Sequence, residues 1–583
     1  MHSCEAVGST SEHWQVRAAD LLGQLQSITG TRYVLTKPDR TRFYRKGYRF
    51  GEGNVLAVVR PGTLVEYWRV LKASIDAGMI VIIQAANTGL TGGSTPDGND
   101  YDRGIVLINT MRMKRLQVIS GGQQVVCFPG ATLDQLERAL KPFGREPHSV
   151  IGSSCLGASV FGGICNNSGG ALVHRGPAFT QLALYARVDE DGRLDLVNHL
   201  GLRLEGAPED ALGSLDRWDI GDADIETTGE RWASDRGYAA HVRDIDADTP
   251  SRFNADPRRL FEASGCAGRL ALFAVRLDTF AKNERSKVFY IGTNRTEELT
   301  ELRRRLLREL SVLPVAGEYL HRTAFNVAER YGKDTFLLIR HLGTARLPFF
   351  FEMKTRFDAI VDNWRFFPKY LSDRLLQALS SLIPTPVPER MRAYRDQFEH
   401  HLLLKVADDG IEETRALLSE FFASASGSYF ECTDDEGEKA FLHRFAAASA
   451  AVRYRAVHHR EVSDICALDI ALRRNDRDWF ETLPQDLEKQ AIHKLYYGHF
   501  LCYVFHQDYI VKHRNDPLEF EHRMWSLLDE RGAEYPAEHN VGHLYKAKVA
   551  LRQFYQTLDP RNVLNPGIGQ TSKCLCWRET LRR

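Results

Sequence analysis

The stretch Ile151-Gly-Ser-Ser-Cys-Leu-Gly-Ala-Ser-Val-Phe-Gly-Gly-Ile-Cys-Asn-Asn-Ser-Gly-Gly170 holds six glycines and four serines among small apolar residues, and no charge. Glycine in an ordered segment carries an entropic cost, so a run this rich in glycine needs a reason. A backbone built this way can lie close to a ligand and point N–H groups at phosphate oxygens. A second run of the same kind, Ala85-Ala-Asn-Thr-Gly-Leu-Thr-Gly-Gly-Ser-Thr-Pro96, follows the apolar segment Met79-Ile-Val-Ile-Ile83. Two uncharged phosphate-cradling loops point to a large dinucleotide. No Gly-x-Gly-x-x-Gly opens a helix after a strand and no Walker-type Gly-x-x-x-x-Gly-Lys-Ser/Thr occurs, so a Rossmann site and a P-loop are both unexpected.

A chain of 583 residues is too long for one core, which predicts two or three domains. Its 76 basic and 76 acidic residues cancel, so any contact with a charged partner must come from local patches, and nucleic acid is not an expected partner. No run of eighteen apolar residues occurs, and so no spanning helix is expected. The opening Met1-His-Ser-Cys-Glu-Ala lacks a basic start followed by an apolar block, which predicts no secretion signal.

Residues 11–30 repeat apolar positions (Leu21, Leu22, Leu25, Ile28) at helical spacing. Val55–Val59, Ile80–Ile83, Ile105–Ile108 and Val125–Phe128 read as short buried strands, with helices at Thr63–Ala77 and Thr132–Leu140 between them. Arg187–Val197 reads as a hairpin turning at Asp191-Gly192. Residues 203–250 read as a charged, irregular surface excursion, and Ala271–Asp278 as a strand closing this domain.

From about residue 280 helical patterns dominate (Glu297–Leu310, Ile411–Ala423, Asp464–Arg473), while strands such as Lys287–Ile291 and Leu402–Val406 look sparse. Between 345 and 397 aromatic and basic residues mix: Phe349-Phe-Phe-Glu-Met-Lys-Thr-Arg-Phe357, Asn363-Trp-Arg-Phe-Phe-Pro-Lys-Tyr370, then Arg390, Arg392 and Arg395. Rings that bury at headgroup depth beside Lys and Arg suit an anionic membrane surface. Pro384, Pro386 and Pro388 forbid a continuous helix there.

Two histidine clusters carry the candidate chemistry. Tyr497-Gly-His-Phe-Leu-Cys-Tyr-Val-Phe-His506 puts His499 and His506 seven residues apart; that spacing shares a face in a helix and opposes faces in a strand. Pro536-Ala-Glu-His-Asn-Val-Gly-His543 supplies Glu538 and His539. An imidazole can take a hydroxyl proton while a hydride leaves the adjacent carbon, and two His with a carboxylate can hold a divalent metal.

These residues resemble a known family. Gln84–Ser94 and the 151–170 loop resemble the two pyrophosphate-binding segments of the vanillyl-alcohol-oxidase, or PCMH-type, flavoprotein superfamily, and Asp559-Pro-Arg-Asn-Val-Leu-Asn-Pro-Gly-Ile-Gly569 resembles its closing motif. Phe43–Gly47, Lys141–Gly152, Ser264–Gly268 and the blocks 494–511 and 535–546 are similar to the bacterial membrane-associated, quinone-dependent FAD D-lactate dehydrogenases.

The resemblance implies an α+β chain. A discontinuous PCMH-type FAD-binding domain (1–278, core about 45–220, and 530–583) joins an α+β cap domain (279–320, 398–435, 460–529). The cap carries a mainly helical, basic membrane-binding insertion (321–397 and 436–459). Carried over by motif, flavin contacts fall on Ala85, Ala86, Asn87, Thr88, Gly89, Gly93 and Ser94, then on Gly152, Ser159 and Gly169, with Leu272 at the flavin edge. The first loop has no His or Cys for covalent attachment, so the expected FAD is non-covalent.

The implied activity is oxidation of D-lactate to pyruvate with electrons passed to quinone, at the cytoplasmic face of the bacterial inner membrane, peripherally bound. His539 or His499 is the expected base, with His506 and Glu538 orienting it or helping to hold a metal. Arg444, or alternatively Arg453, is the candidate for the substrate carboxylate, since a guanidinium binds it bidentately. The related metal-using dehydrogenases carry Gly-Asp-Gly-Asn between the two histidines and Gly after the Glu-His pair. Here Leu501-Cys-Tyr-Val504 and Asn540 stand instead, which leaves the metal open. The alternative is a soluble, metal-dependent FAD dehydrogenase of another D-2-hydroxy acid; a membrane-bound scaffold without redox turnover is a third reading.

Overall fold

A computed structural model describes residues 11–148, 157–226, 229–342, 353–354 and 370–578. Gly152 and most of the aromatic-basic stretch, including Arg356, Arg365 and Lys369, lie outside the described residues.

Among the described residues three large sheets organise the chain, beside a two-stranded pair of Arg145–Glu146 with Phe280–Ala281. The first runs Val34–Leu35, Ala57–Val59, Ile105–Asn109, Ile80–Gln84, and its last three strands are parallel. Helix Leu64–Asp76 packs against it, capped by the Thr63 side chain accepting from the Glu66 amide. One stretch from the chain's far end pins this sheet with two bonds: Val81 N–H donates to Val563 O (3.0 Å) and Asn565 N–H to Val81 O (2.9 Å). The second sheet is antiparallel in the order Leu116–Ile119, Gln124–Cys127, Ala271–Asp278, Ala183–Val188, Leu194–Asn198. Ala271–Asp278 is its central strand, with a register shift between Leu272 and Ala274. The expected hairpin is present, with Gly192 in the left-handed region (φ 84°). The segment 203–250 is more ordered than expected, since Pro208–Arg217 and Tyr238–Arg243 are helices with buried faces.

The third sheet corrects the reading of the second half, where strands looked sparse. Seven antiparallel strands run in the order Ser428–Glu431, Ser286–Thr293, His400–Ala407, Ala316–His321, Ala491–His499, Val504–Lys512, Val462–Ala471. Asp464–Arg473, expected as a helix, lies almost wholly in the strand Val462–Ala471. Ile465, Cys466, Leu468, Ile470 and Ala471 are all buried, because helices or neighbouring strands cover both faces. Burial on both faces erases the two-residue alternation that marks a strand in sequence. One face (Phe289, Ile291, Leu402, Leu404) packs with Leu299, Leu302 and Leu306 of helix Thr296–Glu309. The other (Tyr290, Leu320, Leu403, Tyr497) packs with Phe325 of Arg322–Tyr331 and Ala440 and Ala447 of Asp434–Val457. The prolines at 384–388 separate helices Leu371–Ser381 and Glu389–Gln397, as expected. Among the described residues no helix is long and apolar enough to cross a membrane.

Asn565 ties the first loop to the closing motif, donating to Gly93 O (2.9 Å) and Ala267 O (2.8 Å). Replacing Asn565 by Ala leaves the buried Ala267 carbonyl and the half-buried Gly93 carbonyl without that donor, at a cost of about 1–3 kcal/mol for the buried one and less for the other. Thermal unfolding of this variant is expected several degrees below wild type, with faster loss of flavin on dilution.

Candidate active site

The third sheet delivers the histidines. His499 ends the strand Ala491–His499, the short 3-10 turn Phe500–Cys502 reverses the chain, and His506 returns on Val504–Lys512. The seven-residue spacing therefore belongs to neither a single strand nor a helix. It is a tight hairpin that brings the two rings to 5.4 Å between centroids, nearly perpendicular. Each histidine meets a carboxylate across the sheet. Glu318 is the register partner of His499, and its Oε1 lies 2.7 Å from His499 Nδ1. Asp469 is the register partner of His506, with Oδ1 3.5 Å from His506 Nδ1. Neither acid was picked out from sequence. Asp469 was hidden by the helical reading of its strand, and Glu318 sits in no motif.

Arg444 reaches the same group from helix Asp434–Val457: its Nη2 is 2.9 Å from Glu318 Oε2, and its guanidinium lies over the Tyr497 ring at 4.6 Å. Arg453 is elsewhere, paired to Asp334 and Asp373 at 2.7 and 2.9 Å. Tyr497 donates its hydroxyl to Asp508 Oδ2 (2.6 Å).

Glu538 and His539 come from the returning C-terminal segment. The buried Glu538 carboxylate accepts the N–H groups of Gly169 and Gly170 on Oε2, both at 2.8 Å, and Oε1 lies 2.6 Å from Arg252 Nε. Its own amide donates to Asp469 Oδ2 (3.0 Å). A Cβ on Gly169 would fall 2.6 Å from Glu538 Oε1, so the site requires glycine there. Arg252 also donates to Gly170 O. No motif marks Arg252, which in sequence is one charge in an irregular segment. His539 stands at φ 40° with its amide on Asn166 O (3.2 Å) and its ring 3.9 Å from Glu538 Oε2. Its side chain is 42 % exposed, whereas those of His499 and His506 are 10 % and 23 % exposed.

The loop 85–96 is laced to the same segment. Thr91 Oγ1 donates to Asn540 O (3.0 Å), His543 N–H to Thr91 O (2.8 Å), and a Cβ on Gly93 would meet Val541 O at 2.5 Å. Asn87 sits at φ 53° with its side-chain amide on Lys46 O (3.0 Å), and Ser94 Oγ donates to Asn87 Oδ1 (3.3 Å). Among the described residues the amides of Ala85, Ala86, Asn87, Thr88 and Gly89 have no hydrogen-bond partner, and Gly89 faces open space. A row of free N–H groups fits the oxygens of a dinucleotide pyrophosphate. Ser159 caps the short helix Val160–Cys165 by accepting from Gly162 N–H (3.0 Å), and Leu272 is buried in the central strand of the second sheet. Gly169 spends its amide on Glu538, so any flavin contact there must use another atom.

The electrostatics follow from this crowding. Burial pushes the Glu538 carboxyl up, but Arg252, His499, His539 and the Gly170 amide outweigh it, and the net direction is down. In Glu318 burial is likewise overcome, by His499 and Arg444. Asp469 goes the other way, raised well above the usual carboxylate range by burial and by the Glu538 charge. Burial, then the neighbouring His499, Arg444, His539 and Arg252 side chains, hold His506 far below an ordinary histidine. His539 is lowered by desolvation on its packed side, then by His499 and Arg252, with Glu538 opposing. Among the described residues no three His, Cys, Asp or Glu groups converge as metal ligands; Glu538 Oε2 is engaged by two amides, and Oε1 lies in charge contact with the Arg252 guanidinium.

Comparison with known proteins then decides the family. A family model described as "FAD binding domain" matches residues 55–196, and one described as "D-lactate dehydrogenase, membrane binding" matches 288–577. The chain is 58 % identical over 558 residues to the quinone-dependent D-lactate dehydrogenase of Escherichia coli K12, covering 96 % of this chain and 98 % of that one. This chain belongs to the quinone-dependent D-lactate dehydrogenase family. The Haemophilus influenzae member is 56 % identical over 560 residues, covering 96 % and 99 % of the two chains. The fold of this family member is of the PCMH type: it aligns with p-cresol methylhydroxylase bound to substrate at TM-score 0.57 and 11 % identity, over 97 % and 98 % of the chains.

Asp508 offers a pH test. Burial raises its carboxyl to about 6, against Tyr497, Arg49 and Arg444. The folded state therefore binds this proton more tightly than the unfolded chain, and the stability it adds at low pH is lost as pH rises from about 4 through about 6. Asp508→Asn is expected to remove that component, so chemical denaturation of wild type and variant diverges across this window; parallel curves contradict the assignment.

Proposed function

We propose that this chain oxidises D-lactate to pyruvate with non-covalent FAD and passes the electrons to membrane quinone. The observation that carries the reading is the hanging of Glu538-His539 between two glycine-rich loops, one with a row of free amides. Bound FAD would supply the hydride acceptor, and Ala85–Gly89, Gly93, Ser94 and Ser159 would hold it, with Gly152, Gly169 and Leu272 as further candidate contacts.

Of the two candidate bases, His539 is favoured. Its ring is exposed, whereas His499 is buried with Nδ1 given to Glu318. Desolvation lowers the His539 ring below an ordinary histidine, which favours the neutral imidazole that can take the C2 hydroxyl proton of lactate as the C2 hydride departs, leaving the two-electron-oxidised ketone, pyruvate. Arg444, held over Tyr497 by Glu318, is the cation offered to the substrate carboxylate. His506 and Glu538 position the base. The soluble, metal-dependent alternative is disfavoured because Glu538, its expected ligand, is taken by Arg252.

The domain partition belongs to the same proposal: FAD domain 1–278 and 530–583, cap 279–320, 398–435 and 460–529, membrane-binding part 321–397 and 436–459. In the last, Leu375, Leu379, Leu382 and Ile383 are exposed on and after helix Leu371–Ser381. Beside them a cavity is lined by Arg330, Lys333 and Arg374. Exposed leucines flanked by cations suit peripheral binding to an anionic leaflet, here the cytoplasmic face of the inner membrane.

Two experiments test this. His539→Ala is expected to keep FAD but to lose at least about 100-fold in single-turnover flavin reduction by D-lactate, and a wild-type rate removes His539 as the base. Leu379→Asp/Leu382→Asp is expected to weaken binding to anionic vesicles while D-lactate still reduces the flavin at the wild-type rate; unchanged vesicle binding rejects this surface.

A further inference from the structure

We infer that Arg252 is the fixed cation of this centre: its guanidinium occupies the Glu538 carboxylate where a divalent metal would otherwise bind, and it sets the Gly169–Gly170 backbone through that carboxylate. The inference rests on the reading of Glu538-His539 as the oxidation centre.

Two imidazoles and a carboxylate are a donor set that suits a divalent cation. Here each donor is spoken for on one side. His499 gives Nδ1 to Glu318, His506 turns Nδ1 towards Asp469, and Glu538 uses Oε2 for two amides and Oε1 for Arg252. Arg252 is 1 % exposed, and the carboxylate 2.6 Å away is its charge partner. The same guanidinium donates to Gly170 O, so Gly170 is held through both its amide and its carbonyl.

The placement is not incidental. Ser251 donates its hydroxyl to Cys502 O (2.6 Å), fastening the Arg252 segment to the turn that joins the two histidine strands. Arg252 and the histidines are thus positioned by one structural element. Nor does the guanidinium look built for stability alone: Nη1 has no hydrogen-bond partner, and Nε, close to Glu538, is not aligned for one. A buried cation left incompletely bonded is costly, and replacement of such a pair by apolar groups is often neutral. Its charge also acts on Glu318, Asp469, His506 and His539, which spans the whole cluster. Arg252 touches no reacting atom in this account and is a positioning residue.

The test uses purified holoenzyme, with flavin bleaching by D-lactate in wild type as the control that would fail first if the oxidation reading were wrong. After dialysis against chelator, wild type is expected to hold no stoichiometric divalent metal and to keep its turnover. One zinc or manganese per chain, lost together with activity and restored with it, overturns the inference. Arg252→Met is expected to slow flavin reduction about 100-fold, the scale of a small misplacement of the reacting groups, with Arg252→Lys faster than Arg252→Met. A wild-type rate in Arg252→Met overturns it. Should Arg252→Met lose FAD, Arg252→Met/Glu538→Gln, which removes both buried charges, is expected to regain it; a double variant no better than the single overturns the pairing.

Discussion

The Glu538 carboxylate is the knot on which the rest of the centre depends. It accepts two amides from the glycine-rich loop, meets a buried guanidinium, and sends its own amide to Asp469 of the third sheet. Breaking a buried charge pair by removing one partner costs roughly 3–5 kcal/mol, so loop, sheet and returning segment are bound to a single charge balance. The glycines follow from this: Gly169 must lack a side chain because the carboxylate fills that volume.

This knot also explains why the chain leaves its first domain and comes back. The loop 85–96 hangs from the first sheet, the 157–170 segment from the second, and the histidine hairpin from the third. The returning segment 538–543 touches all three, through Thr91, Gly169–Gly170 and Asp469. The closing Asn565 then fastens the first loop from behind. The returning segment thereby brings Glu538 and His539 to the glycine-rich segments of the first two sheets and to the histidine hairpin of the third.

Much of this was legible in the sequence, and the failures have physical causes. The two glycine loops, the strand Ala271–Asp278 and the Glu-His pair could be read because each carries a local signature. The strand Val462–Ala471 could not, since burial on both faces removed its alternation and left a helix-like pattern. That error concealed Asp469. The partnership of His499 with His506 was read as a question of one helix or one strand, whereas a hairpin answers it. Arg252 and Glu318 carry no motif; their importance exists only once distant segments meet. The engagement of the Gly169 amide by Glu538 likewise joins residues far apart in sequence.

The central claim is that the glycine loops hold FAD where Glu538-His539 can take the proton of a D-2-hydroxy acid. Anaerobic stopped-flow reduction of the flavin by D-lactate and by L-lactate tests it most directly. The account predicts rapid, stoichiometric bleaching by D-lactate alone, reversed on adding a quinone. A flavin that D-lactate leaves oxidised, or that both enantiomers reduce equally fast, would contradict it.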